Sequence, residues 1–506
     1  MRPLHRALFA LVLLSASSLA SAEVRYVDAS AAGANDGTSW SDAFTTFDEA
    51  LSTAQLGDEV WVADGTYPVP NSFGFIAPAG VSLYGGFAGH ETSIQERNVA
   101  ANVSRLTGFH PFRGVVVLTL DDAVAGTVVD GFKLDGTLSS SQSGAGMVIR
   151  NGSLTVRNCW LFDNIAANGA GVFLSDSHVT FEDCLFERNW SQIGDGGGIR
   201  AVGSGALTVR RCRFLGNFCR ELNGLPGRGA GIFNDAGSVL RVSDCFFDDN
   251  WAYNLGHQLV AAGGGIANLS PDAHVENCIF LRNEASLGGG VYSAAPITIV
   301  NCLFSGNLAS EPANDTPFDT GMGGGIFGEP GVPLTVKSCT IAANWSKHTA
   351  AGVSMDGSLE NCILWHNVSL VEPGDNPEPL VDQQYKGEVE VRYCDIGGLL
   401  AGGGPDPQFP GSIESDPDFV VAPVITSDGV FPAVFEPGDL NLAAGSPCID
   451  AGDNAAVPVG TTKDLAGARR FFDDPAAPDV GLGTRPLVDM GAYERNLSQH
   501  RVRRTR

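Results

Sequence analysis

Nine cysteines recur in one frame, and that recurrence limits what the chain can fold into more than any other feature. Cys159, Cys184, Cys212, Cys245, Cys278, Cys302, Cys339, Cys362 and Cys394 follow one another at intervals of 25, 28, 33, 33, 24, 37, 23 and 32 residues. Two residues after each stands a large apolar side chain: Leu161, Phe186, Phe214, Phe247, Phe280, Phe304, Ile341, Leu364 and Ile396. Five residues after the first eight stands an asparagine: Asn164, Asn189, Asn217, Asn250, Asn283, Asn307, Asn344 and Asn367. Leu399 breaks the column in the ninth unit. Three residues before each cysteine comes an apolar residue, from Val156 and Phe181 to Val391. Period-2 alternation on both sides of the cysteine therefore gives two short strands, with aliphatics facing inward in the first and Cys and Phe in the second. The residue before the cysteine is often Asn or Asp, as at Asn158, Asp183 and Asn277. Such residues accept the left-handed backbone of a sharp bend.

After each asparagine a loop of variable length ends in a glycine cluster and a β-branched residue, as in "GAGV" at 169–172, "GGGI" at 263–266 and "GGGV" at 288–291. This supplies a third strand. Nearly all the length variation falls in that loop, so insertions project from one face of a regular stack. Three short strands per turn and a smallest unit of 23 residues predict an all-β right-handed parallel β-helix, a β-solenoid of about a dozen coils spaced by about 4.8 Å. "VVDGFKLDG" continues the pattern before the first cysteine, with Phe132 and Leu134 at the Cys and Phe positions. In-register parallel coils hold neighbouring Cβ atoms near the coil spacing rather than at the about 3.8 Å of a disulfide, so the cysteines are expected to be a buried column of thiols. Stacking likewise predicts an amide ladder of the asparagines.

The chain opens "MRPLHRALFALVLLSASSLASAEV", which reads as a signal peptide over residues 1–22, followed by a secreted or surface-displayed protein. Lys+Arg 31 against Asp+Glu 57 gives −26, and removal of Arg2 and Arg6 gives −28. That sign disfavours nucleic acid and anionic membranes, and also polyuronates unless a cation intervenes. No later stretch is long and apolar enough to span a membrane. Residues 23–100 are expected to form an amino-terminal cap and the first coils, 101–398 the β-helix, and 399–506 a carboxyl-terminal cap in a monomeric protein. Thr46 and Glu49 form a capping-box pair ahead of a short helix whose Phe47, Leu51 and Ala54 share one face. Such a helix can plug the open end of the solenoid.

The cysteine and asparagine frame resembles that of secreted bacterial right-handed parallel β-helix proteins, the pectate-lyase-like superfamily. The amino end, "RYVDASAAGANDGTSWSDAFTTFDEALSTAQLGDEVWVADGTYPV" with "LYGGFAGHETSIQER", is similar to the segments that open many of them. "DLNLAAGSPCIDAGDN" and "DMGAYE" resemble the carboxyl segment called choice-of-anchor Q. The resemblance implies architecture and surface display. It also implies a scaffold shared with polysaccharide lyases, glycoside hydrolases and adhesins, but no catalytic motif of a named enzyme family carries over onto residues of this chain.

Alternation along the third strand sends Phe173, Arg200, Phe233, Ala267, Tyr292, Phe327 and Ser354 outward. Either Phe173, Arg200, Phe233, Tyr292 and Phe327 form a track for a sugar chain, or the loops fold back and bury the rings. A second aromatic column, Trp190, Phe218, Trp251 and Trp345, is expected to pack beneath loops, with sugar stacking the alternative. The longest loops carry Arg220, Glu221, Arg228, His257, Glu311, Asp315 and Asp319, expected to be solvated. His178, His274 and His366 occupy unrelated positions and suggest no zinc site. The carboxyl segment is dense in carboxylates, and Asp450, Asp453, Asp479 and Asp489 are candidate Ca²⁺ ligands, although their spacing matches no EF-hand loop. Carbohydrate binding along the third-strand face is the leading expectation. A lyase or hydrolase and a structural surface protein or adhesin remain alternatives.

Overall fold

The computed structural model describes residues 22–108, 115–136, 143–221, 227–254, 260–310, 321–369, 383–400, 406–427 and 432–495. The chain winds into a right-handed parallel β-helix whose strands stack into parallel sheets of 13, 12, 11 and 8 strands. Sheet 1 holds the strands before the cysteines, from Val24–Val27 to Val389–Arg392. Sheet 2 holds those after them, from Gly65–Pro68 to Asp395–Ile396, and sheet 4 those after the glycine clusters, from Phe75–Ala77 to Tyr385–Lys386. Sheet 3 departs from the expected three strands per turn. In eight coils the residues just after the asparagine pair as well, from Ile165–Ala166 to Val368–Ser369. The asparagine holds adjacent coils in register at that point, so the next residues meet ready-made partners.

Inward positions stack like upon like. The rings of Phe186, Phe214, Phe247, Phe280 and Phe304 lie nearly parallel, with successive centroids 4.6, 4.7, 4.7 and 4.6 Å apart. Each such pair contributes about 1 kcal/mol beyond the burial of its area. The asparagines form the expected ladder, each Nδ2 donating to the Oδ1 of the next coil at 2.8 to 3.0 Å from Asn164 to Asn367. The second Nδ2 hydrogen goes to a carbonyl of the previous coil, as from Asn250 to Phe214 at 2.9 Å. Gln384 ends the ladder, accepting from Asn367 at 2.8 Å where the ninth unit lacks its asparagine.

Glycine clusters are required where sheet 4 begins. A Cβ on Gly265 would stand 2.6 Å from the carbonyl oxygen of Gly290 and 2.8 Å from the Phe280 ring, so no larger residue fits between coils. Gly263 has φ +67°, a left-handed turn that lets the loop reverse onto the strand.

At the amino end the helix Phe47–Thr53 buries Phe47, Ala50 and Leu51 against the core, with Phe47 edge-on to Phe75 at 5.0 Å. Thr46 precedes it as expected, but its hydroxyl donates to Glu49 at 2.9 Å rather than capping a backbone N–H. After the last coil the chain folds back along sheet 2. Phe419, Leu440, Leu442, Cys448, Ile449 and Met490 pack over the outward residues Leu303, Ala342 and Ile363. Among the described residues no helix is long and apolar enough to cross a membrane.

All eleven cysteines are free and buried, including Cys219 and Cys448 outside the column. Each column thiol from Cys159 to Cys394 donates to the carbonyl two residues earlier, as from Cys278 to Glu276 at 3.1 Å. Burial pushes the Cys278 and Cys302 thiols well above their ordinary range. A thiol-specific reagent is therefore expected to label none of them in the native protein and all eleven after denaturation without reductant. Recovery of only a few thiols in the denatured sample would contradict the column.

Candidate functional site

The outward residues of sheet 4 stand in register as the alternation requires. Phe173 faces Arg200, then Phe233, Ala267, Tyr292, Phe327 and Ser354 in successive strands. The open track expected along this face is not there. Phe233 is 1% exposed, Phe327 4% and Tyr292 9%. The reason is the reversal at the glycine clusters, which lays the preceding residues Arg228, Ala262, Leu287 and Met322 alongside the sheet, bridged to one another as a ridge. Leu287, Met322 and Val260 close over the rings. Arg200 and Arg228 flank the Phe233 ring at 5.6 and 4.7 Å and share Asp195, which takes two bonds from Arg228 at 3.0 and 2.9 Å. Tyr292 lies parallel to Phe327 and donates its hydroxyl to Glu329 at 2.6 Å. Arg228 and Tyr292 are thus paired within the protein, whereas the buried Nε of Arg200 has no hydrogen-bond partner among the described residues. Phe173 and Arg200 remain half-buried at one end of the column.

Sheet 3 presents the opposite outcome. Its outward column runs Ile165, Trp190, Phe218, Trp251, Glu284, Leu308, Trp345 and Val368. Trp345 is buried, as packing beneath a loop requires, but Trp251 is 46% exposed and Tyr253, two residues on, 41%. Phe218 meets Trp190 edge-on at 5.7 Å, and the guanidinium of Arg220 lies 5.2 Å from the Trp190 ring. Trp251 donates its indole N–H to Asp249 at 3.0 Å. In the next coil Glu284 is partly buried, accepts from the Ser310 hydroxyl at 2.7 Å, and has its carboxyl raised by burial and by the charge of Asp249. The result is a strip of rings edged by a cation and two carboxylates. Of the loop residues singled out, His257, Glu311, Asp315 and Asp319 and the Glu221 side chain lie outside the described residues.

The carboxyl segment brings together only two of the four expected metal ligands. Asp453 caps Ala455 N–H at 2.9 Å. Asp489 accepts from the N–H groups of Asp450 at 2.8 Å and Arg495 at 2.7 Å, and burial pushes it up to about 7. Both carboxylates accept backbone N–H groups, and neither converges with Asp450 and Asp479 in the described residues. Asp450 and Asp479 instead converge with Asp473. Sequence spacing gave no reason to choose Asp473 over its neighbour Asp474, which pairs with Arg495 at 2.8 Å. His274 lies beside Glu276 at 3.3 Å, and His366 lines a cavity of about 540 Å³ with Trp365, Gln384 and Glu414.

The right handed beta helix region family matches residues 123–214. No curated protein matches the sequence. Solved structures similar to the chain include pectate lyase Pel9A, with 13% identity and a TM-score of 0.37 over 95% of this chain and 98% of that one. The catalytic domain of a GH87 alpha-1,3-glucanase in complex with tetrasaccharides has 11% identity and a TM-score of 0.39, over 72% and 69%. A rhamnogalacturonan lyase has 14% identity and a TM-score of 0.36, over 83% and 97%. These likenesses assign no activity and no residue role here. The chain is a right-handed parallel β-helix protein.

One buried acid couples the last coil to the segment beyond it. Asp395 accepts from Cys448 Sγ and from Ser415 N–H, each at 3.1 Å, and burial pushes it up to about 7. Between the unfolded value near 4 and this folded value, the native state holds a proton that the unfolded chain has lost. This group's contribution is therefore complete below about pH 4 and is lost as pH rises through about 7. Asp395→Asn is expected to raise the melting temperature at pH 8 and to flatten its fall between pH 4 and 7. An unchanged pH profile in the variant would contradict the assignment.

Proposed function

We propose that this is an exported protein that binds a polysaccharide along the strip formed by Trp190, Phe218, Trp251 and Tyr253, with Arg220 at its side. The observation that carries the reading is the exposure of Trp251 and Tyr253 on the coil stack, where Phe233, Tyr292 and Phe327 of sheet 4 are buried. Aromatic faces pack on the apolar faces of sugar rings, and a guanidinium beside them offers donors to hydroxyl groups. The leader-like residues 1–22 support export. The net charge of −26 favours a neutral glycan over a polyuronate.

Glu284 supports a second reading, glycoside hydrolysis. A carboxyl raised by burial, one coil from Trp251 and near Asp249, has the character of a general acid beside a second carboxylate. One experiment separates the two. The full chain is passed over immobilised neutral and acidic glycans, and the same glycans are assayed for new reducing ends. Retention on a neutral glycan, weakened about tenfold or more by Trp251→Ala, is expected from the loss of one stacking platform. Unchanged retention of Trp251→Ala would sink the strip. Reducing ends that disappear with Glu284→Gln would establish hydrolysis.

A further inference from the structure

Beyond the β-helix, one oxygen each of Asp450, Asp473 and Asp479 lies within 4.8 Å of the other two. A single residue builds this arrangement. The carbonyl of Asp450 accepts from the N–H groups of Val480 and Gly481 at 3.2 and 2.9 Å, and its Oδ2 accepts from Asp474 N–H at 3.1 Å. Asp473 and Asp479 immediately precede the residues so held, and both are thereby brought to the Asp450 side chain.

A second observation points to a cation-binding role. Asp450 is fully buried, and its Oδ1 has no hydrogen-bond donor among the described residues. The same is true of the buried Oδ1 of Asp479. A buried carboxylate oxygen without a donor bears its full desolvation penalty, which native structures rarely leave uncompensated. The guanidinium of Arg485 pairs with the other oxygen of Asp479. Three carboxylates and one guanidinium leave a charge of −3 + 1 = −2 at the cluster, the complement of a divalent ion.

The donor set selects the ion. All three ligands are hard oxygens with no nitrogen or sulfur among them, which disfavours zinc. Ca²⁺ binds oxygens at about 2.3–2.6 Å in flexible geometry, so ligand atoms up to roughly 4.8 Å apart can share it without rearrangement. Mg²⁺, at about 2.0–2.1 Å in a strict octahedron, needs a tighter set. Asp473 is exposed, leaving a side open for the ion and its waters.

We infer that Asp450, Asp473 and Asp479 form a calcium site that ties the turn at 450 to the 473–479 loop in the segment packed on sheet 2. Asp453 and Asp489 accept backbone N–H groups around it and lie outside the convergent group. The site is independent of the aromatic strip.

The test uses the full chain after chelator treatment and dialysis, titrated with CaCl₂ and, separately, MgCl₂ by calorimetry, with thermal melts in parallel. The expected result is one Ca²⁺ per chain and a melting temperature raised by about 2 °C or more at saturation. Asp473→Asn, an exposed change that leaves the chelator-treated melting temperature as in the parent, is expected to weaken uptake about tenfold or more. No uptake at millimolar CaCl₂, or uptake that Asp473→Asn leaves unchanged, would overturn the site. Tighter binding of Mg²⁺ than Ca²⁺ would overturn the choice of ion.

Discussion

The amide ladder is the interaction on which the remaining structure depends. Each asparagine from Asn189 to Asn344 joins the coil before it and the coil after it through both Nδ2 hydrogens and its Oδ1, inside a core where water cannot substitute. A buried amide left without partners costs about 1–3 kcal/mol, so any slip between coils is penalised at every rung. Register at the asparagine sets the register of everything near it. The two-residue strands of sheet 3 pair because the preceding residue is locked. The Phe rings from Phe186 to Phe304 stack within 5° of parallel because their backbones rise by one coil spacing.

With the interior taken up by stacking, the outer faces divide the remaining roles. Sheet 1 carries alternating charges, with Arg210 near Glu182 at 3.6 Å and Lys337 near Glu360 at 3.2 Å, an arrangement suited to water. Sheet 2 is covered by the carboxyl segment from coil 279 onward, partly through Asn361, which exchanges hydrogen bonds with Asp453 at 2.7 and 2.8 Å. Sheet 4 lies under the ridge of Leu287 and Met322. The edge at sheet 3 is where Trp251 and Tyr253 stand exposed. Function is proposed there because exposed rings on a rigid backbone bind with little loss of conformational freedom.

What the sequence made legible was what repeats. The Cys, Phe and Asn columns announce the coil, its inward face and its ladder, because each position sees the same neighbours in every turn. Gln384 was not legible as the last rung, since it enters from a glycine-strand position out of frame with the asparagines. The burial of Phe233 and Tyr292 was foreseen only as one of two outcomes. Alternation says which way a side chain points from its own strand, but not what a reversing loop lays over it. Trp251 and Trp345 share a column, yet one is exposed and the other buried. At the carboxyl end the density of Asp was visible, while the convergence of Asp473 and Asp479 on Asp450 depends on the bonds that Asp450 makes to the backbone of residues 474, 480 and 481.

The central claim is that the ladder couples coils energetically rather than merely filling space. A double-mutant cycle on Asn217 and Asn250 measures this directly, through urea unfolding of the two single alanine variants and the double variant. Asn217 donates to Asn250 Oδ1 through Nδ2 at 2.9 Å and through its backbone N–H at 3.0 Å. The account predicts that the second substitution costs less once the first is made, with a coupling of about 1–2 kcal/mol. Additive losses, agreeing to within about 0.3–0.5 kcal/mol, would contradict it.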